Sequence, residues 1–252
     1  MGPGVSVAPA NGSAEESADG LVAADITGMV WAAIIAAGGT GRPAVAGHVH
    51  YRGVYNKARA ALLALPIDEH TAPAGSVALL ADTHDAHGEF ERPAGRQQLA
   101  EAYAARPRTR VYEDIGRDAP HAWYTRVAQH LGRLAGCELA VVCTVFQSAA
   151  GDESLGAHTD AWYGAIMQIS GAKSWEIGFS LLDGSDRPTQ QVTTTAGDLL
   201  LLPKGLAHRA WTPPDPGHSV HLAFAIDRDD QLSPATRPPG IDSMATTAAG
   251  GA

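Results

Sequence analysis

The chain has 252 residues, a hydrophobic fraction of 45% and a formal net charge of −9, which fits one large or two small globular domains. The negative charge disfavours nucleic acid and anionic membranes as partners, because phosphate binding needs clustered Lys and Arg. Two cysteines, Cys137 and Cys143, are too few for a disulfide framework, so we expect both to be reduced and buried. The N-terminus has neither the basic nor the apolar segment of a signal peptide, so we expect a cytoplasmic location.

The order of the sequence patterns predicts a helical N-terminal half followed by a β-rich C-terminal half, which is an α+β arrangement with a mainly β core. Gly, Ser, Ala and acidic residues over 1–20 predict a disordered N-terminal tail. Residues 229–252, which contain SPATRPPG and TTAAGGA, predict a flexible C-terminal tail. We therefore expect one folded domain over 21–228. Its predicted helices are 23–37, 55–65, 96–105 and 119–135, the last with Pro120 near its start and Gly136 as its stop.

Short runs rich in Val, Thr and Leu predict the strands. Residues 163–170 and 173–179 read as two strands joined by a Gly-Ala turn, which is typical of a hairpin. Residues 83–95 are polar and contain Gly and Pro, so they read as a loop. Several short strands separated by turns favour a sandwich or a barrel. The other predicted strands are 41–51, 76–81, 139–146, 190–195, 198–202 and 219–226.

Three residues of the β-rich half predict a metal site. His158 and Asp160 flank Thr159, so an extended backbone would point both side chains to the same side. His208 follows LLLLPKG, a buried strand that ends at Pro203, and a barrel can bring that strand end beside the first pair. Two imidazoles and one carboxylate form the ligand set that holds Fe(II) on one face and leaves the opposite face open.

Lys173 predicts a second element of the same site. It follows His158 by fifteen residues, at the start of a predicted strand that would carry it into the barrel interior. A buried ammonium needs a partner, and the surrounding pattern offers no obvious acidic one. A bound carboxylate is therefore a candidate. 2-Oxoglutarate fits, because its keto acid group chelates iron and its distal carboxylate suits a lysine.

The segments GAHTDAWYGAIMQISGAKSW and AGDLLLLPKGLAHRA resemble the JmjC-type branch of the cupin-fold Fe(II)- and 2-oxoglutarate-dependent oxygenases. The resemblance implies a double-stranded β-helix, also called a cupin or jelly-roll barrel, over about 138–228 with N-terminal helices packed around it. GRPAVAG and SVHLAFAI are similar to the first and last barrel strands. The resemblance implies that His158, Asp160 and His208 are the catalytic iron ligands, and that Lys173 binds the distal carboxylate of 2-oxoglutarate.

Some features depart from the family pattern. Leu155 stands where some members have a hydroxyl that assists 2-oxoglutarate, so we expect Thr144 or Tyr163 to replace it. No winged-helix domain follows residue 228 as it does in ribosomal oxygenases, so a ribosomal substrate is not expected. Asp160 occupies the position that iron halogenases leave to a small residue, which favours hydroxylation or desaturation.

Period-two alternation also suggests residues for the substrate pocket. Trp162, Gly164 and Ile166 share the face of Asp160, and His221 lies on the last predicted strand. His48 and His50 form a second His-x-His pair, for which a metal role or a pocket role stays open. His84 and His87 read as parts of a solvated loop.

The expected activity is the oxidation of an unactivated C–H bond in an amino acid, a peptide or a peptide-derived natural product, with consumption of O2 and release of succinate and CO2. One alternative is a metal cupin that does not use 2-oxoglutarate. A second alternative is a non-catalytic cupin that binds a small molecule.

Overall fold

The computed structural model describes residues 12–36, 49–53, 77–81, 90–113, 115, 119–136, 141–178 and 189–226. Their backbone is mainly antiparallel β-structure with three helices, which confirms the predicted α+β class with a β core. The helices are α1 (Gly12–Ala36), α2 (Arg96–Ala105) and α3 (Trp123–Ala135). The strands are β1 (Val49–Tyr51), β2 (Val77–Ala81), β3 (Phe90–Glu91), β4 (Arg110–Glu113), β5 (Val141–Ala149), β6 (Tyr163–Ile177), β7 (Gln190–Thr195), β8 (Leu199–Leu202), β9 (His208–Trp211) and β10 (His218–Ile226).

The strands form two sheets that share β6. The larger sheet has the order β1-β8-β6-β10-β5-β4-β2-β3, and the C-terminal half of β6 pairs with β7 on one side and β9 on the other. Ile166 of the larger sheet and Trp175 and Ile177 of the smaller one belong to the same buried cluster, together with Leu200 and Leu202 of β8. The two sheets therefore face each other across a shared interior.

The predicted hairpin at Gly171 is wrong, because β6 runs through this position as one strand of 15 residues. Gly171 adopts φ 65°, and a Cβ there would overlap the backbone carbonyl of His218. The pairing with β10 also shifts by one residue at Val220/His221. This is a bulge, which bends a strand and increases its twist without reversing it. The strand therefore leaves one sheet and enters the other at Gly171.

The outer face of the larger sheet packs on the helices. Val127 and Leu131 lie one turn apart on α3 and are fully buried, as are Ile26 and Val30 on α1. These side chains form one core with the outward residues of the sheet, which include Cys143, Val145, Ala165, Met167, Leu222 and Phe224. Most of the apolar burial of the described residues thus lies between sheet and helices.

The helix predictions differ from the structure mainly at the ends. The helix over 96–105 is confirmed as α2, and Gly136 ends α3 in the left-handed conformation with φ 71°. α3 begins at Trp123, after Pro120, which restricts the backbone that precedes it. α1 begins at Gly12, so residues 12–20, predicted to be disordered, are helical, in keeping with the high helix propensity of the Ala and Glu residues in this part of the sequence. The predicted helix 55–65 and both tails, 1–11 and 227–252, lie outside the described residues.

Three short strands were not predicted. β3 lies in the segment that was read as a loop, and β4 and β9 have charged residues among their few positions, so they lack the clear alternation of a half-buried strand. β5 ends at Ala149, beyond the predicted residue 146. Cys143 is a free, buried thiol on β5, as expected, whereas Cys137 lies outside the described residues. No helix among the described residues has the length and apolar character needed to cross a membrane.

Candidate active site

The backbone brings the two histidines of the predicted triad together. His158 and His208 form an antiparallel bridge in which the N–H of each donates to the carbonyl of the other, at 3.0 and 2.9 Å. The N–H of Gly205, in the turn after β8, donates to the carbonyl of Asp160 at 2.8 Å. The segment that carries His158 and Asp160 is therefore held against the start of β9.

The ligand atoms of the triad lie close enough to share one ion. One potential ligand atom from each of His158, Asp160 and His208 lies within 4.8 Å of the others. Nε2 of His158 is 3.8 Å from one carboxylate oxygen of Asp160, and Nε2 of His208 is 3.7 Å from the other. The side chains of His158 and Asp160 are 24% and 22% exposed, whereas that of His208 is 6% exposed. The group thus stands at the rim of the interior, with one side accessible.

Hydrogen bonds orient both imidazoles. Nδ1 of His158 lies 2.8 Å from the carbonyl of Gly156, and Nδ1 of His208 lies 3.0 Å from the carbonyl of Leu206. A carbonyl can only accept, so each Nδ1 is the protonated donor and each Nε2 keeps a free lone pair. Both lone pairs belong to the nitrogens nearest Asp160.

The electrostatics of the site suit metal binding. Burial lowers the pKa of His208, and the charge of His158 lowers it further, against the opposing effects of the Leu206 carbonyl and Asp160. His208 is therefore neutral at neutral pH, which is the form that binds a metal. Two oriented imidazoles and one carboxylate match the donor set of a non-haem Fe(II) site.

Lys173 is buried on β6 with its ammonium between two hydroxyls. Nζ donates to Oγ of Ser148 at 2.9 Å and to Oγ1 of Thr212 at 3.2 Å, and the two hydroxyl oxygens are 2.6 Å apart. Lys173 is 2% exposed, and no carboxylate among the described residues accepts a hydrogen bond from it. Burial lowers the pKa of Lys173 to about 8, against the opposing charge of Asp152. A cation and two hydroxyls in a buried place form a site suited to a carboxylate.

The two hydroxyl residues predicted to assist the ligand have different positions. Thr144 lies on β5 in the same alternation as Ser148, so it shares the interior face. Tyr163 belongs to the core between sheet and helices, on the face opposite to Gly164, so the structure does not bring it to Lys173. Tyr163 precedes Gly164 by one residue, and one step along a strand moves a side chain to the other face.

Ser148 and Thr212 were missed by the sequence analysis. The signal for Ser148 was present, because it lies four residues after Thr144 on the same strand face. The signal for Thr212 was weaker. It lies four residues after His208, just past the end of β9, and β9 was not among the predicted strands.

The predicted pocket residues lie mostly on the interior face. Ile166 belongs to the interior cluster, and His221 is 4% exposed. At Gly164 an added Cβ would lie 4.0 Å from the carboxylate of Asp160 and 3.8 Å from Cβ of Leu202. Trp162 is half-buried immediately before β6. Gly164 thus leaves space beside the proposed metal position.

His50 has a different environment from the triad. Its Nε2 lies 3.2 Å from the carboxylate of Asp198, which also accepts hydrogen bonds from the backbone N–H groups of Gly53 and Thr195 at 2.7 and 2.9 Å. This network ties β1 to the start of β8, so His50 has a structural role. His48, His84 and His87 lie outside the described residues.

A surface groove of about 470 Å³ lies beside the site, on the outer face of the smaller sheet. It contains the ion pair between Glu176 and Arg209 and the indole of Trp211. None of the four predicted pocket residues lines it. Residues 154–157, which lead into His158, form one of its edges.

Residues 125–232 match the model of the JmjC domain family. The predicted resemblance is confirmed. Among curated proteins, ribosomal oxygenase 2 from Bos taurus is 33% identical over 92 residues, and the match covers 32% of this chain and 20% of that protein. The Rattus norvegicus protein of the same name is 32% identical with the same coverage. The chain thus covers about a fifth of the length of these curated relatives.

Solved structures share the fold. YcfD, a ribosomal oxygenase from Escherichia coli, aligns with a TM-score of 0.52 and 15% identity over 79% of this chain and 51% of that chain. The same protein in complex with cobalt and succinic acid aligns with a TM-score of 0.50 and 14% identity, over 79% of this chain and 51% of that one. At these identities the likeness concerns the fold alone. It agrees with the predicted jelly-roll arrangement of the JmjC-like domain.

Proposed function

We propose that this protein is an Fe(II)- and 2-oxoglutarate-dependent oxygenase that hydroxylates a side chain of a protein or peptide. The observation that carries the proposal is the pairing of two sites within one domain. One is the triad of His158, Asp160 and His208, with two free imidazole lone pairs directed at one place. The other is the buried ammonium of Lys173, which has only neutral hydroxyls as hydrogen-bond partners among the described residues.

Different residues would hold the iron and the 2-oxoglutarate. His158, Asp160 and His208 would hold iron on one side and leave the other side open. Lys173, with the hydroxyls of Ser148 and Thr212, would hold the distal carboxylate of 2-oxoglutarate. When both are bound, they supply the oxidation of a C–H bond by O2, with conversion of 2-oxoglutarate to succinate and CO2. The protein orients these groups, and the carbonyls of Gly156 and Leu206 keep both imidazoles in the metal-binding tautomer.

The curated relatives bear on the substrate. They are named ribosomal oxygenases. Succinic acid, bound in the Escherichia coli structure, is the product that 2-oxoglutarate gives when it loses CO2 and gains one oxygen atom from O2. The name supports a protein side chain as substrate, ribosomal proteins included, whereas the bound succinic acid supports 2-oxoglutarate as the co-substrate. Asp160 fills the third ligand position, which favours hydroxylation or desaturation over halogenation. A free amino acid or a peptide-derived natural product is the alternative substrate. The domain bounds of 21–228, apart from the extended α1, and the location in the cytoplasm also stay predictions.

The test is anaerobic titration of the metal-free protein with Fe(II) and then 2-oxoglutarate, recorded by visible absorption. We expect the charge-transfer band of the chelate in the wild type and a weaker band at equal 2-oxoglutarate concentration in Lys173→Ala. Lys204→Ala is the matched control, because Lys204 is exposed and lies outside both sites. Bound iron without any band would favour a metal cupin that does not use 2-oxoglutarate, or a binding protein.

Substrate class is tested separately. The loaded enzyme is incubated aerobically with ribosomal proteins, with peptides derived from them and with free amino acids, and products are measured by mass spectrometry. We expect a gain of one oxygen atom in a protein or peptide that depends on 2-oxoglutarate. Succinate formation only with a free amino acid would contradict the protein substrate and keep the oxygenase.

A further inference from the structure

A buried histidine faces the interior near Lys173. His221 lies on β10, in register with Phe146 of β5, and its alternation partner Ala223 packs against the interior cluster. Its ring stacks on Phe146, with centroids 4.9 Å apart and planes at 11°. The ring of Trp175 lies at 5.6 Å in an edge arrangement. The position and plane of the imidazole are therefore set by two aromatic neighbours.

Nδ1 of His221 is buried and has no hydrogen-bond partner among the described residues. Two other polar side chains of this interior, Gln168 and Trp175, are paired. Gln168 donates to Ser219 at 3.0 Å, and the indole N–H of Trp175 donates to Thr194 at 3.1 Å. An unpaired buried polar atom costs about 1–3 kcal/mol, and a phenylalanine would stack in the same place without that cost. The free nitrogen therefore points to a bound group that completes its hydrogen bond.

The surroundings restrict the chemistry of that group. Burial, and after it the charge of Lys173, hold the pKa of His221 well below its usual range. The ring is therefore neutral and can offer one N–H donor. An anionic oxygen satisfies both this donor and the nearby ammonium, whereas a cation would be repelled by Lys173.

We propose that His221 binds the distal carboxylate of 2-oxoglutarate through Nδ1, as a second residue beside Lys173. This inference rests on the proposed function and gives the last strand of the barrel a role in binding the co-substrate. It replaces the expectation that His221 contacts the substrate. Because the imidazole is held between Phe146 and Trp175, its donor would be fixed before the ligand binds.

The experiment compares two ligands in the Fe(II)-loaded full-length chain under anaerobic conditions. 2-Oxoglutarate and 2-oxopentanoate have the same chelating head and carbon chain, but only the first has a distal carboxylate. His221→Phe keeps the stacking and removes the donor. His221→Asn places an amide nitrogen near the position of Nδ1. The Kd of each ligand is measured from the charge-transfer band, and Fe(II) affinity and the unfolding midpoint are recorded for each variant.

We expect His221→Phe to raise the Kd of 2-oxoglutarate by roughly tenfold or more, the effect of a hydrogen bond to a charged group. The Kd of 2-oxopentanoate and the Fe(II) affinity should stay within about twofold, and His221→Asn should recover most of the 2-oxoglutarate affinity. If His221→Phe fails to fold, His221→Leu provides the same comparison.

Two results would overturn the inference while leaving the oxygenase intact. An unchanged Kd for 2-oxoglutarate in His221→Phe would mean that the donor makes no contact. Equal losses for both ligands would mean that the residue acts on the chelating end or on the shape of the interior. Absence of the band in the wild-type protein would instead reject the proposed function, and the ligand assignment with it.

Discussion

The two faces of the larger sheet differ in composition, although the same strands build both. On β5, Cys143 and Val145 face the helices, while Phe146 and Ser148 face the interior. On β10, Leu222 and Phe224 face the helices and alternate with His221 and Ala223. The outer face is continuous apolar core, whereas the inner face mixes small, polar and aromatic residues. Because neighbouring residues point to opposite faces, the sequence can maintain a stable core on one side while the other side varies for chemistry.

The largest expected effect is on metal binding at the rim of the inner face. Asp160→Ala removes one of three ligands. Loss of a residue that only hydrogen-bonds to a metal ligand already lowers metal affinity by about 10–100-fold. We therefore expect Fe(II) affinity to fall at least about 100-fold, with no charge-transfer band. Thr159→Ala is the matched control, since Thr159 is the exposed residue between the two ligands. Fe(II) affinity in Asp160→Ala equal to that of the control would show that the triad does not hold the metal.

The next effect concerns Lys173, whose buried ammonium lies on the smaller sheet and faces the shared interior. Lys173→Met keeps much of the side-chain volume and removes the ammonium, so we expect the Kd of 2-oxoglutarate to rise roughly 100-fold. Binding should also depend on pH. The pKa of Lys173 is lowered to about 8, so the ammonium that pairs with the carboxylate is present below pH 8 and is lost above it.

The affinity of the wild type should therefore be flat below pH 8 and fall by about tenfold per pH unit above it. In Lys173→Met this dependence should disappear, because no titrating group is left at that position. Titrations at several pH values, each with the unfolding midpoint recorded, check this. A wild-type profile that stays flat through pH 9 would contradict the role of the ammonium.

A variant on the face of the larger sheet that packs on the helices should lower stability and leave 2-oxoglutarate binding unchanged. Leu131 is fully buried between α3 and the sheet, so Leu131→Ala should lower the free energy of unfolding by about 2–5 kcal/mol. Leu134 on the same helix is 45% exposed, and Leu134→Ala should cost less than about 1 kcal/mol. Urea denaturation measures both. The Kd of 2-oxoglutarate for the folded fraction should not change, and a change above tenfold would show that the two faces are coupled.

The sequence allowed prediction of the parts that depend on local spacing. The His158–Asp160 pair and the inward direction of Ile166 follow from period-two alternation, and the left-handed stop at Gly136 follows from glycine after a helix. The pairing of strands that are far apart in the chain could not be predicted from the sequence. Gly171 fits a hairpin turn as well as a bulge, and only the pairing of β6 with β10, β7 and β9 distinguishes them.

The lack of long-range information also explains why the hydroxyl partners of Lys173 were not identified from the sequence. Thr144 and Ser148 share one strand face, so alternation alone could not say which of them reaches Lys173. Thr212 meets Lys173 through the pairing of β9 with β6, which brings together residues that are far apart in the chain. The error at Tyr163 has a different origin, because the alternation that places Gly164 and Ile166 inward already places Tyr163 on the opposite face.

The smallest expected effect tests the connection between the edge strand β1 and its neighbour β8 in the larger sheet. Asp198 accepts hydrogen bonds from His50 and from the backbone of Gly53 and Thr195. Burial by itself would raise the pKa of Asp198, but these hydrogen bonds lower it to a net value below its usual range. The folded pKa is thus below the unfolded one. The stabilisation is present above the unfolded value of about 3.9 and is lost as pH falls through the folded value.

Asp198→Asn keeps the shape and removes the charge, so we expect a loss of about 1–3 kcal/mol at pH 7. Because the variant lacks this titration, its difference from the wild type should shrink as the pH is lowered below 4. Asp215→Asn, at an exposed position, should show neither effect. Urea denaturation at pH 7 and at several values below 4 measures the difference. A difference that stays constant down to the lowest pH would mean that the carboxylate stabilises the fold by its shape and its neutral hydrogen bonds. The connection between β1 and β8 would then be independent of charge, unlike the proposed carboxylate site at Lys173.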